Sequence, residues 1–313
     1  MRQIVSVSRR TDVPAFHARW FLNRIRAGYC HWIQPFNGRV HRVSLSPADV
    51  WGIVFWTRNP APLLAHLDAL AEYTLAFQFT INDYGPPLES HNPPRAAALR
   101  AFERLAARLG PNAVLWRYDP IVLSDLWDEA YHERRVRELA ARLQGMTTRC
   151  TFSFVDPYGK TRRNLGRVEA ASGIRIEEPT MGRRRALAAT LAEIVRGHGM
   201  DFVSCCDDSL VSGAIGRSRC VDPDLLARLR AEAVPVEARP TRPDCGCARS
   251  VDIGAYDSCA FGCAYCYAVS GRETALRRIR AADAVDTVLV RPRSKLGADL
   301  DVEAGLARGQ PPS

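Results

Sequence analysis

Ten cysteines stand in a chain of 313 residues, and three of them are closely spaced. Cys259, Cys263 and Cys266 fall in the string Cys-Ala-Phe-Gly-Cys-Ala-Tyr-Cys-Tyr-Ala. Thiols this near in sequence fit on one tight loop and can converge on three corners of an iron–sulfur cubane, which cysteine thiolates hold. Four such ligands complete an electron-transfer cluster. Three leave one iron open, and an open metal position is what substrate chemistry requires. Gly262, inside the loop, lets the backbone fold closely round such a group. Two other readings compete. A structural zinc site takes four ligands, commonly paired cysteines, and Cys245 and Cys247 could complete it. Alternatively, the three are small packing residues.

A second constellation comprises Cys205, Cys206, Cys220, Cys245 and Cys247. Four of these five suffice for a second iron–sulfur cluster or a structural zinc. Cys205 and Cys206 adjoin at the end of an expected strand, where neighbours point to opposite faces, so only one is expected to ligate. Cys30 and Cys150 have no patterned partner and read as core packing. The seven histidines show no ligand spacing, and the chain carries no P-loop, nucleophile elbow or dinucleotide glycine fingerprint.

The elements that must position these thiols follow from periodicity. Short apolar runs at 3–7, 52–56, 75–81, 113–117, 150–155, 202–205 and 250–255 read as strands. Between them, 15–27, 61–71, 95–109, 129–143, 183–196 and 223–233 read as helices with start or stop signals in place. Such alternation predicts an α/β fold with a parallel sheet, and seven strands suit a closed or nearly closed TIM-like barrel. The expected organisation is a single domain over 1–285, with a Cys-rich connector at 205–247 and a loose tail at 286–313. Polar residues gather after successive strands, the end at which parallel α/β folds bind ligands. An aspartate there can simply cap the next helix. Arg10, Arg117 and Lys160 are not capping types, and with Asp119 and Asp156 they are the candidates for orienting substrate. Guanidinium groups bind carboxylate and phosphate in bidentate fashion, so an anionic substrate is expected.

Composition narrows the classes. With 47% apolar and 25% charged residues, the bulk of the chain is neither disordered nor fibrous. No run approaches eighteen uninterrupted apolar residues, so no membrane span is expected. Charges near the N-terminus argue against export, and a reducing cytoplasm favours metal binding over disulfides. The formal charge is +9, yet only Lys160 and Lys295 of the 43 basic residues are lysines. The arginines are scattered along helices, which leaves nucleic acid an open partner rather than an indicated one.

The spacing Cys-x3-Cys-x-Tyr-Cys resembles the signature of the radical S-adenosylmethionine (SAM) enzymes. The resemblance implies a [4Fe-4S] cluster on Cys259, Cys263 and Cys266, SAM chelated at the open iron, Tyr265 beside the adenine, and a flavodoxin- or ferredoxin-like electron donor. The longer string through Tyr267-Ala268 is similar to the spore photoproduct lyase-like branch. Phe55-Trp56-Thr57-Arg58-Asn59-Pro60 resembles a strand-end Thr-Lys motif of that branch, with Arg58 in place of lysine. More closely, residues 2–268 resemble the DUF1848 family. That resemblance rests on Ser8-Arg9-Arg10-Thr11-Asp12-Val13-Pro14-Ala15-Phe16, the 55–60 string, Trp116-Arg117-Tyr118-Asp119-Pro120, and the stretch from Cys245-Gly246-Cys247 through Asp252-Ile253-Gly254-Ala255-Tyr256 to Ala268. It carries no activity with it, and it favours Cys205 over Cys206 as ligand.

Radical SAM enzymes carry the cysteine loop after the first strand, whereas here it follows the last. Circular permutation of a barrel accounts for this and predicts that strand 250–255 lies beside strand 3–7. The usual Gly-Gly-Glu motif for the SAM amine is absent. In the permuted order its place falls to residues 8–12, where Asp12 or the hydroxyls of Ser8 and Thr11 would meet the ammonium. The expectation is therefore a radical SAM-type enzyme. The alternative is a zinc-stabilised, non-catalytic α/β protein that binds nucleic acid through its arginines.

Overall fold

The computed structural model describes residues 2–156 and 158–291. The strands are β1 (Gln3–Val7), β2 (Tyr29–Ile33), β3 (Val40–Ser44), β4 (Val50–Thr57), β5 (Leu75–Thr80), β6 (Val114–Ile121), β7 (Leu123–Ser124), β8 (Arg149–Phe154), β9 (Ile176–Glu177), β10 (Asp201–Ser204), β11 (Gly216–Arg217) and β12 (Val251–Asp252). The helices are α1 (Val13–Phe16), α2 (Ala18–Ala27), α3 (Ala61–Leu64), α4 (Arg95–Leu109), α5 (Glu129–Leu143), α6 (Gly159–Ser172), α7 (Met181–Gly197), α8 (Pro223–Arg230) and α9 (Arg272–Ala281). The antiparallel hairpin β2–β3 and the helix α6 were not expected, and Lys160 consequently sits in the first turn of α6.

Eight strands form one parallel sheet in the order β11-β10-β8-β6-β5-β4-β1-β12. From β1 to β11 the order follows the chain without reversal, and the last strand returns to the free edge of the first. The expected neighbours therefore meet, with Val5 opposite Val251 and Ser6 opposite Asp252. The described residues establish an α/β fold on a large parallel sheet.

The two faces of the sheet are covered differently. Strand side chains alternate between faces. Val5, Val7, Phe55, Phe77, Phe79, Phe152 and Phe202 form one apolar cluster with α2, α4, α5 and α7. Ile4, Val54, Ala76 and Leu115 belong to a separate cluster with Leu225 and Leu226 of α8 and four of the connector cysteines. The crossover helices α2, α4, α5 and α7 thus share one face, and the Cys-rich connector with α8 fills the other. Gly52 shows how tightly it does so, since a Cβ there would stand 2.8 Å from Leu226 Cδ2.

Residues 286–289 of the expected tail pack against the body of the protein. Trp20 Nε1 donates to the Asp286 carbonyl at 2.9 Å, His31 N to the Thr287 carbonyl at 2.8 Å, and Leu289 joins the main core. The rest of that tail, 292–313, lies outside the described residues.

Two predictions follow from this packing. A Cβ on Gly254 would fall 1.9 Å from Ser8 Oγ, where β12 docks on β1. Gly254→Ala is expected to destabilise the fold by about 1–3 kcal/mol in urea denaturation; an unchanged midpoint would contradict this docking. His132 is fully buried between the Tyr118 hydroxyl (2.7 Å) and the Val122 carbonyl (3.0 Å), and burial pushes its pKa down to about 4. Between pH 6.5 and 4 the unfolded chain takes up a proton that the folded chain refuses. Stability should therefore drop by roughly 3 kcal/mol as pH falls through that window. His132→Gln should flatten this part of the profile, and an unaltered slope would assign it to other groups.

Candidate functional site

The loop that carries the three spaced cysteines leaves β12 at the C-terminal edge of the sheet. The buried carboxylate of Asp252 fixes its root. It accepts from Ser6 Oγ (2.7 Å), Ser8 Oγ (2.8 Å), Arg9 N (2.9 Å) and Gly254 N (3.0 Å). Further on, the Asp257 N–H donates to the Ala268 carbonyl at 3.0 Å and closes the loop's base. Ala264 N donates to the Leu88 carbonyl at 2.9 Å, and Arg272 Nε to the Ala260 carbonyl at 3.1 Å. Gly262 takes a φ of +68°, where a β-carbon would be strained.

The three thiols lie in one another's electrostatic fields. Burial pushes all three pKa values up, that of Cys263 to about 11, and Asp12 and the other two thiols raise Cys259 further. Arg58 opposes the rise at Cys263 and Cys266, and Lys160 opposes it at Cys266. Left alone, such thiols stay protonated; a bound cation reverses the balance and makes them thiolates. Unlike the second group, these three make no sulfur-to-sulfur contact among the described residues.

Beside Cys263 lies a buried polar network. Arg58 donates to Glu89 at 2.8 Å and to the Tyr265 hydroxyl at 2.5 Å, and Tyr265 donates in turn to Glu89. Asn82 Nδ2 donates to the same hydroxyl at 3.1 Å. Cys263 Sγ meets Asn92 Oδ1 at 3.5 Å, while the buried Nδ2 of Asn92 has no partner. Arg58, Asn82, Glu89 and Asn92 also line a cavity of about 190 Å³ that reaches Asp83 and Arg95. Glu89 and Asn92 carry no signal in the sequence, because they reach the loop only through the fold.

The residues expected to contact SAM are placed unevenly. Asp12 is already engaged: its carboxylate accepts from Ala15 N (3.0 Å), Thr57 Oγ1 (2.8 Å) and Arg58 N (2.6 Å). Its pKa is nevertheless raised to about 6 by burial. Ser8 is engaged by Asp252 and by Arg10 N at 2.9 Å. Tyr265 is buried in an apolar cluster with Tyr84, Leu88 and Trp127, and its hydroxyl is tied as above. Thr11 alone of the four offers a buried hydroxyl without a partner.

The second group assembles into a ring. Cys205 Sγ is 3.6 Å from Cys220 Sγ and 3.8 Å from Cys206 Sγ. Cys245 and Cys247 complete the ring, in the same buried cluster as Cys205 and Cys220, with Cys206 packed against it. Cys206 departs from the alternation expected of a strand. β10 ends at Ser204, and a φ of +57° swings the Cys206 side chain back to the side of Cys205. Buried Arg117 donates to Cys220 Sγ at 2.9 Å and lies 3.8 Å from Cys205 Sγ, while Arg242 Nη2 reaches Cys205 Sγ at 3.9 Å. Arg242 stands three residues before Cys245, the one cue the sequence offered for it.

The candidate substrate residues divide between the two groups. Arg117 holds Asp119, which also accepts from Ser153. Asp156 pairs with Arg242 at 2.5 Å, and Arg242 also donates to the Tyr158 hydroxyl at 3.1 Å. These side chains belong to the ring. Arg10 lies 5.4 Å from the centre of the Tyr256 ring, and Lys160 Nζ lies 5.9 Å from it, beside the spaced cysteines. Tyr158 and Tyr267, both exposed, bridge the two groups with ring centroids 6.1 Å apart. Among the described residues, no three cysteine, histidine, aspartate or glutamate side chains are already drawn round one ion position.

Fold and sites define an α/β protein whose parallel strands end in a polar rim with two separate groups of thiols. The chain belongs to DUF1848, a domain of unknown function whose family model matches residues 4–268. That span runs from β1 to the residue two past Cys266, so it includes both sides of the β1–β12 junction. No curated protein and no solved structure matches the chain.

The network beside Cys263 makes its own prediction. Arg58→Ala leaves the buried Glu89 carboxylate without its cation and should destabilise the chain by about 3–5 kcal/mol. Tyr265→Phe should lose only about 1–3 kcal/mol. Chemical denaturation of both variants measures this, and a loss below about 1 kcal/mol for Arg58→Ala would mean that Glu89 is not held as a charge.

Proposed function

We propose that this chain is a radical SAM-type iron–sulfur enzyme acting on an anionic substrate, with Cys259, Cys263 and Cys266 as the ligands of a [4Fe-4S] cluster. The observation that carries this reading is the set of three half-buried thiols, within one another's electrostatic reach, on a loop at the C-terminal edge of a parallel sheet, with the unpartnered amide of Asn92 against one of them. The donor set fits the group: three cysteine sulfurs on one loop, and the unpartnered Nδ2 of Asn92, whose Oδ1 meets Cys263. When bound, the cluster supplies one electron for reductive cleavage of a carbon–sulfur bond of SAM, which begins hydrogen abstraction from substrate.

The chain's own residues do the rest. Arg58 counters the charge of the thiolates at Cys263 and Cys266. Thr11 and Asn92 offer hydrogen bonds to the polar groups of SAM, while Asp12, its carboxylate oxygens already accepting from Ala15, Thr57 and Arg58, orders the turn that presents Thr11. Arg10 and Lys160 supply cations for an anionic substrate at the rim, and Arg117, Asp119 and Asp156 order the far side of the mouth. The unreversed strand order and the confinement of the crossover helices to one face support a nearly closed, circularly permuted barrel as the finer architecture. A flavodoxin- or ferredoxin-like protein in the cytoplasm is the matching electron donor. No helix among the described residues is long and apolar enough to cross a membrane.

Anaerobic purification tests this reading. The protein should be brown, bleach with dithionite, and release 5′-deoxyadenosine when reduced with SAM. Cys263→Ala should bring that release to background. A colourless protein with stoichiometric zinc would favour the alternative, a zinc-stabilised nucleic-acid binder, and unchanged release by Cys263→Ala would remove these ligands.

A further inference from the structure

We infer that the ring of Cys205, Cys206, Cys220, Cys245 and Cys247 is a binding site for a single thiophilic metal ion, held by four of the five thiolates and independent of the loop cysteines. Two thiolates on one tetrahedral zinc, with bonds of about 2.3 Å, stand about 3.8 Å apart. The contacts of Cys205 with Cys220 and Cys206, 3.6 and 3.8 Å, have that spacing. Sulfurs that ligate different irons of a cluster are held farther apart, so the ring suits one ion better than a cubane. Each sulfur is one bond from its Cβ, so rotamer changes can draw four ring members to a common centre.

The chain contains its own comparison for thiols that merely pack. Cys30 and Cys150 are buried in the main apolar core with no sulfur neighbour. The ring thiols, in contrast, meet guanidinium donors from Arg117 and Arg242, each of which also holds a carboxylate, Asp119 and Asp156. Donors aimed at sulfur stabilise thiolate, the form that binds metal. The backbone encloses the ring as well. Val221 N donates to Cys247 Sγ at 3.4 Å, Gln78 Nε2 to the Cys220 carbonyl at 2.9 Å, and Ala248 N to the Val221 carbonyl at 3.0 Å. An ion here would fasten the connector into the face of the sheet that α8 covers, and with it the side chains of Arg117 and Arg242.

The test uses the full chain with Cys259, Cys263 and Cys266 all changed to alanine, so that only the ring can respond. Cobalt(II) is the probe. One equivalent should bind, with intense visible bands of a tetrahedral thiolate site, and zinc should displace it. Adding Cys220→Ser and Cys247→Ser leaves three ring thiols and should bring the bands to background. Free reactive thiols without cobalt bands, or bands that survive the double change, would overturn the assignment. In the otherwise unaltered chain, Cys220→Ser/Cys247→Ser should lose one metal equivalent while the iron bound to the loop cysteines is unchanged. Equal metal content with and without these two substitutions would likewise overturn it.

Discussion

Asp252 joins the first strand of the sheet to the last. Its carboxylate is buried and accepts from the hydroxyls of Ser6 and Ser8, from the backbone of Arg9 and from its own strand's continuation at Gly254. A buried carboxylate is tolerated only where donors surround it, so this arrangement fixes the strand pairing rather than merely accompanying it. Because Val5 and Ser6 then face Val251 and Asp252, the loop after the last strand stands over the loop after the first. Every feature of the proposed site depends on that register: the fields of Asp12 and Arg58 at the thiols, the orphaned atoms of Thr11 and Asn92, and the cations of Arg10 and Lys160 about Tyr256.

The two thiol groups make different demands on the fold. The loop cysteines hang from irregular backbone, kept in place by bonds from Ala264 to Leu88 and from Arg272 to Ala260. Loops at the strand ends of an α/β sheet can vary without disturbing the core, which is why such folds place chemistry there. The ring instead lies under the connector, against the face of the sheet that the crossover helices leave free. The ring thiols share a cluster with α8 and with Ile4 and Val54 of the sheet. The first group is suited to exchange with ligand, the second to holding a structure.

Legibility in the sequence followed the range of the interactions. The main strands and the amphipathic helices α4, α5 and α7 declare themselves through local periodicity. The spacing of Cys259, Cys263 and Cys266 is likewise local, and the β1–β12 pairing followed from one topological argument about where that loop occurs in the chain. α6 escaped because Gly159 and Gly166 weaken its helical signal and its apolar side is narrow, with Leu165 and Val168 buried. The β2–β3 hairpin escaped although Asn37-Gly38 marks its turn, for β3 has an exposed His41 and Arg42 in its centre. Cys206 comes to the side of Cys205 because one left-handed residue cancels strand alternation, and nothing local announces it. Glu89, Asn92 and Arg242 reach the thiols only through contacts far apart in the chain.

Electron paramagnetic resonance of the dithionite-reduced protein, recorded with and without SAM, tests whether Cys259, Cys263 and Cys266 hold a cluster with one iron left open to SAM. A cubane signal whose g values shift when SAM is added is expected. A signal that SAM leaves unmoved, or the absence of any cubane signal in protein purified without oxygen, would contradict it.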